Sequence, residues 1–161
     1  VRQGQISVYY GAGKGKTCVA VGRGLRAIGD DMRVVMIQFM DYHNSKEIEL
    51  LKKLEPDFRI FRFEKNRAEQ EINDAVRREI TDEIKNAFNF ARKIVDTGEC
   101  EMLLLDGILE CIKQGFLSAE QLDELLDRRP DYMDIILTGD SLPPSIAERV
   151  HCIYQLKAEK Q

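Results

Sequence analysis

The sequence contains no tryptophan, and only four prolines and two histidines among its 161 residues. It has no apolar run long enough to cross a bilayer as a helix, so no membrane partner is expected. No charged-then-apolar signal segment opens the sequence as given, which starts at Val1. An excess of basic charge is also missing. The formal net charge of -4 argues against a general nucleic-acid binder. The four cysteines, Cys18, Cys100, Cys111 and Cys152, form no C-x-x-C pair. His43 and His151 stand far apart, so zinc-site spacing is absent. Isolated cysteines of this kind are expected as small core residues. These absences lead to the expectation of a reduced, cytoplasmic protein without structural metal. His43 reads as a loop residue, and His151 as a plug at a strand edge.

What remains is an ordinary globular composition, 43% hydrophobic and 32% charged. No linker, repeat or low-complexity segment interrupts it. Residues 1–161 read as one domain, long enough to bury a core.

The segment Gly11-Ala12-Gly13-Lys14-Gly15-Lys16-Thr17 carries the most chemistry. The apolar run Ile6-Ser7-Val8-Tyr9-Tyr10 precedes it, and a helical pattern from Cys18 follows. A glycine-rich loop between a strand and a helix turns backbone N–H groups inward, and the helix adds its positive N-terminal end. Both favour a phosphate chain. Gly11 to Cys18 are therefore the candidate ATP-binding residues: Gly11, Ala12, Gly13, Lys14, Gly15, Lys16, Thr17 and Cys18. Lys16 is expected to reach the outer phosphates, and the Thr17 hydroxyl to bind Mg²⁺. The spacing differs from the strict phosphate-loop pattern, because Tyr10 stands where the first glycine belongs. Lys14, Lys16, Arg23 and Arg26 lie close together in sequence and suggest a local basic pocket.

The rest of the chain alternates strand and helix patterns. Arg33–Phe39 and Met102–Asp106 are almost continuously apolar, as strands buried on both faces are. Phe58–Phe63 alternates, with one more exposed face. Ser45 reads as the cap of a short helix through Leu54. Apolar residues at helical spacing run from Ala68 to Asp96, with room for a break near Thr81, and Gly98 closes them. Ile108–Gln114 and Ser118–Leu126 are helical, the second opened by a capping box. Met133–Gly139 and Val150–Leu156 are the last strands, with a short helix at Pro143-Pro144 between them. The pattern predicts an α/β, phosphate-loop NTPase-like fold, a mostly parallel sheet with helices on both faces. Such sheets bind ligands beyond the carboxyl ends of their strands. Asp106, after the Leu103-Leu104-Leu105 run, falls at that edge and is expected to hold Mg²⁺ with Thr17. Thr138-Gly139 falls there too.

With these residues the chain resembles the phosphate-loop ATP:corrinoid adenosyltransferases of cobalamin biosynthesis and salvage. The resemblance rests on the loop with its displaced first glycine, Arg26-Ala27-Ile28-Gly29, Val35-Met36-Ile37-Gln38-Phe39 and Leu105-Asp106. It continues through Gly115-Phe116-Leu117, Arg129-Pro130 and Leu137-Thr138-Gly139. It implies transfer of the 5′-deoxyadenosyl group of ATP to the cobalt of a reduced corrinoid, releasing triphosphate. Lys16 and Thr17 would be the catalytic residues, Thr17 and Asp106 the Mg²⁺ residues, and a homodimer the assembly.

Four departures accompany the resemblance. Gly107 replaces the glutamate of the family's Leu-Asp-Glu. Asp41 and Tyr42 replace the last two residues of Gln-Phe-x-Lys-Gly, and Asp140 replaces the arginine of Thr-Gly-Arg. The aromatic Gly-Phe-Thr-Trp segment associated with the corrinoid is missing, and Lys65-Asn66-Arg67-Ala68-Glu69 stands in its place. Glu110 lies one turn after Gly107 and compensates only if its helix points it back. A second reading stays open: a nucleotide-binding relative without adenosyltransferase activity. So does another phosphate-loop enzyme, such as a small kinase or NTPase.

Overall fold

A computed structural model describes residues 2–40, 46–65, 67 and 73–160. Asp41, Tyr42, the His43 loop, the Ser45 cap, Asn66, Ala68, Glu69 and Ile72 lie outside these residues.

The described elements run in chain order β1 (Ile6–Tyr10), α1 (Lys16–Gly29), β2 (Val34–Gln38), α2 (Lys46–Leu51), a 3-10 turn (Lys52–Leu54) and β3 (Phe58–Arg62). They continue with α3 (Asp74–Thr97), β4 (Met102–Asp106), α4 (Ile108–Lys113), α5 (Ala119–Asp127), β5 (Asp134–Gly139), α6 (Pro144–Ala147) and β6 (Cys152–Gln155). The six strands form one sheet in the order β3-β2-β4-β5-β1-β6. Every neighbouring pair is parallel. Parallel strands need a crossover, and the helices supply it by covering both faces.

Two apolar clusters result, one on each side of the sheet. Ala20 and Ala27 of α1 and Leu51 of α2 pack with Val34, Met36, Phe58, Met102, Leu104 and Ile136 on one side. On the other side, Ile80, Ile84, Phe88 and Ala91 of α3, with residues of α4 and α5, cover Val35, Ile37, Leu103, Leu105, Ile135 and Leu137. The two parities of β2, β4 and β5 thus serve opposite cores, which is why these strands are apolar at nearly every position.

Three boundaries differ from the sequence expectation. α3 begins at Asp74 rather than near Ala68, because Asn73 is extended and its side chain accepts from the Val76 amide at 2.9 Å. The helix runs through Thr81, whose hydroxyl donates to the Arg77 carbonyl at 2.8 Å instead of breaking the ladder. β6 is shorter than Val150–Leu156. It is the sheet edge beside β1, and His151 anchors its start. The Ile6 amide donates to His151 Nδ1 at 2.9 Å, and the His151 amide donates to the Ile6 carbonyl at 2.9 Å. The capping box at Ser118 and Gln121 is present in full.

The cysteines correct a further expectation. Cys100 and Cys111 are buried, but Cys18 is exposed and Cys152 half-buried. The buried stripe of α1 runs through Ala20, Gly24 and Ala27, and Cys18 lies off it.

Candidate functional site

The strand register aligns Tyr10 with Gly139 and Gln38 with Asp106. The carboxyl ends of β1, β2, β4 and β5 therefore meet along one edge, where the glycine loop crosses from β1 to α1. Lys16, Thr17, Gln38, Asp106, Glu110 and Asp140 are among the residues lining a cleft of about 310 Å³ there.

The loop is held by backbone contacts. The Gly11 amide donates to the Gly139 carbonyl at 3.1 Å, and the Gly13 amide to the Leu156 carbonyl at 3.1 Å. Gly15 caps α1 with no side-chain bond to the helix amides, so the positive end of α1 faces the loop uncapped. Lys16 folds back over the loop. Its ammonium donates to the Gly11 and Gly13 carbonyls at 2.6 and 3.0 Å and pairs with Asp140 Oδ1 at 3.2 Å. Ala12, Lys14, Gly15 and Cys18 are exposed, and Lys14 shares a shallow depression with Lys157.

Thr17 and Asp106 meet although they come from different elements. The Thr17 hydroxyl lies 2.9 Å from Asp106 Oδ2 and 3.2 Å from Oδ1. Asp106 is only 5% exposed, and Thr138 fixes its orientation. The Thr138 hydroxyl donates to Asp106 Oδ1 at 2.7 Å and accepts from the Gly107 amide at 2.7 Å. The ends of β4 and β5 and the starts of α1 and α4 thus share a single hydrogen-bonded chain.

Gly107 and Glu110 settle how the departure from Leu-Asp-Glu looks in three dimensions. Gly107 has φ of 83°, the left-handed region, and caps α4. A Cβ there would run into the Phe39 carbonyl oxygen. Glu110, in the first turn of α4, is among the residues that line the cleft.

Arg23 and Arg26 are not part of this site. Arg23 donates to the Tyr9 hydroxyl at 2.6 Å. Both line a separate depression with Arg2, Met102 and Asp134, at the amino ends of β4 and β5. The basic pocket suggested by their nearness in sequence is therefore not formed. α1 carries them down the length of the sheet.

Behind the cleft wall lies a buried carboxyl that the sequence did not single out. Glu64 is 6% exposed and accepts from the Met40 amide at 2.9 Å. Burial pushes its pKa up to about 7, against that hydrogen bond. Burial likewise pushes the Cys111 thiol well above its usual range.

Among the described residues no group of three or more His, Cys, Asp or Glu side chains is placed to hold a metal ion by itself. The donors present fit a hard cation that shares its shell with phosphates and water, as Mg²⁺ does when one or two carboxylates hold it. Thr17 Oγ1 and Asp106 supply oxygen only. The cleft also carries Glu47, Glu110 and Asp140, with the Lys16 ammonium among its described lining residues. No helix among these residues is long and apolar enough to cross a membrane.

The family model for "ATP:corrinoid adenosyltransferase BtuR/CobO/CobP" matches residues 2–161. The chain is 27% identical over 162 residues to the corrinoid adenosyltransferase of Escherichia coli K12, covering 98% of this chain and 79% of that protein. It is 23% identical over 158 residues to the corrinoid adenosyltransferase of Pseudomonas aeruginosa, covering 98% and 77%. Among solved structures, domain III of the Thermotoga maritima replication initiation protein DnaA is similar at 16% identity with a TM-score of 0.48, covering 97% of this chain and 55% of that one.

Proposed function

The chain belongs to the ATP:corrinoid adenosyltransferase family, and we propose that it transfers the 5′-deoxyadenosyl group of ATP to the cobalt of a reduced corrinoid. Cobalt(I), part of the substrate, is the nucleophile. It forms a bond to C5′ of the ribose, the C5′–O bond breaks, and triphosphate leaves with the electron pair. No general base is required. The observation that carries this reading is the match of residues 2–161 to the family, together with a glycine loop built at the carboxyl edge of the sheet.

On this reading the loop holds a leaving group. The amides of Lys16, Thr17 and Cys18 at the uncapped start of α1 face triphosphate, while those of Gly11 and Gly13 hold the loop in place. Lys16 neutralises charge that builds on it as the C5′–O bond breaks. To do so the ammonium exchanges Asp140 and the loop carbonyls for phosphate oxygens. Thr17 and Asp106 hold Mg²⁺, which supplies further charge stabilisation when bound. Thr138 keeps the Asp106 carboxylate oriented. Residues 1–161 act as one nucleotide-binding domain in the cytoplasm, and as the homodimer that the family resemblance implies.

An anaerobic assay with chemically prereduced corrinoid and ATP tests the reading. Loss of the cobalt(I) absorbance on adding ATP is the expected result, and Lys16→Ala should abolish it. ATP binding without any loss of that absorbance would favour a nucleotide-binding relative lacking the transferase step.

A further inference from the structure

We propose that Glu110 supplies the second carboxylate of the cation shell, in place of the glutamate that position 107 does not carry. This inference rests on the reading of the cleft as a metal–nucleotide site. Position 107 is closed to any side chain, by its φ of 83° and by the Phe39 carbonyl oxygen. The next carboxylate along the chain is Glu110, one turn into α4. Its amide donates to the Gly107 carbonyl at 3.0 Å, which ties the first turn of α4 to the end of β4.

Gly139 then allows α4 to sit close. A Cβ at Gly139 would collide with Leu109 and stand 3.0 Å from the Glu110 nitrogen. Glycine at the end of β5 therefore brings Glu110 to the same edge as Asp106. The Glu110 side chain is half engaged. Oε1 accepts from Gln114 Nε2 at 3.0 Å. Oε2 is buried and has no hydrogen-bond partner among the described residues. A buried carboxylate oxygen without a partner is costly.

A second, independent group lines the same cleft. Gln38, at the end of β2, is 2% exposed, lines the cleft, and leaves its Oε1 buried without a partner. Oxygens without donors thus come from two different elements, and both are what a hard cation or its bound water would satisfy. Charge gives the same direction. Along the cleft Glu47, Asp106, Glu110 and Asp140 outnumber Lys16, so a triphosphate would be repelled unless a cation entered with it. Glu110 is in this account a metal-shell residue, with Gln114 positioning it.

The test is ATP binding without corrinoid, by calorimetry, in Mg²⁺ and in EDTA, for wild type, Glu110→Gln and Asp106→Asn. Wild type should bind ATP more tightly in Mg²⁺. Glu110→Gln should lose at least about five-fold of that tightening, while its affinity in EDTA is unchanged or higher because a negative charge is gone. A merely structural role would weaken both conditions alike. If Glu110→Gln keeps the full Mg²⁺ response while Asp106→Asn loses it, the assignment of Glu110 is wrong and the cleft reading stands. If both keep it, the cleft reading falls as well. Should Glu110→Gln not fold, Glu110→Asp is measured in the same way. A partial loss supports the assignment, and a full response overturns it.

Discussion

The Lys16 ammonium lies 3.2 Å from Asp140 Oδ1, on the residue that replaces the arginine of the family's Thr-Gly-Arg pattern. The loop lysine is thus paired, and a phosphate oxygen that takes its ammonium must displace a carboxylate. The Asp140 side chain is 49% exposed, so the competing pair is weak, about 0.2–1 kcal/mol. Asp140→Asn is expected to tighten ATP binding by up to about five-fold at low salt, an effect that shrinks as salt rises. Calorimetric titration at two ionic strengths checks it. Equal affinity for the two proteins at low salt would show that Asp140 does not compete.

Replacing Gly107 by glutamate would restore the family's motif in sequence but should damage the fold. The left-handed backbone and the Phe39 carbonyl leave no room for a Cβ. Strain of this kind costs about 1–3 kcal/mol before any clash is added. Urea denaturation should give Gly107→Glu and Gly107→Ala lower stability than wild type by at least that amount. Gain of Mg²⁺-dependent ATP affinity in Gly107→Glu, with stability intact, would contradict the geometry.

Thr138 bridges Asp106 and the Gly107 amide through one hydroxyl. Thr138→Val keeps the shape and removes the bridge. It leaves the Gly107 N–H without its acceptor and removes one donor from Asp106, at a cost of about 1–3 kcal/mol. The loss should appear in chemical denaturation and be accompanied by weaker Mg²⁺-dependent ATP binding. A variant as stable as wild type would show that the bridge carries no energy.

Glu64 makes stability depend on pH. Its carboxyl ordinarily titrates near 4.5, and burial raises it to about 7 in the folded chain. The folded state therefore holds its proton more tightly than the unfolded state. Its contribution is full below pH 4.5 and is lost as pH rises through about 7. The loss across that window is of the order of 3 kcal/mol. Glu64→Gln should flatten the decline between pH 5 and pH 8, as followed by urea midpoints at each pH. An unchanged slope in the variant would rule out Glu64 as its source.

Much of this arrangement is legible in the sequence because its signals are local. The strand, glycine loop and helix around Lys16 are contiguous, and the apolar run before Asp106 places that carboxylate on a buried strand end. The two come together because all strands of the sheet run the same way. The contacts that were not legible are those made across the fold. Asp140 reads as a lost arginine, with nothing to say that it reaches Lys16. The Leu156 carbonyl, which takes the Gly13 amide, has no side-chain signature at all. Gly107 reads as a missing glutamate, whereas the backbone accounts for the glycine. Periodicity alone carried α3 back to Ala68, and the Asn73 cap cuts it short. Arg23 and Arg26 looked near the loop because sequence distance ignores the length of a helix.

The proposed transfer breaks the C5′–O bond of ATP, with triphosphate as leaving group. Isotope placement tests it most directly. ATP carrying ¹⁸O at the 5′ oxygen, incubated anaerobically with prereduced corrinoid and the protein, should yield triphosphate that retains the label. One labelled triphosphate should appear per corrinoid alkylated, and the adenosyl product should carry no label at C5′. Formation of ADP and phosphate, with the label kept on the nucleoside, would contradict the account and mark the loop as a phosphoryl-transfer site.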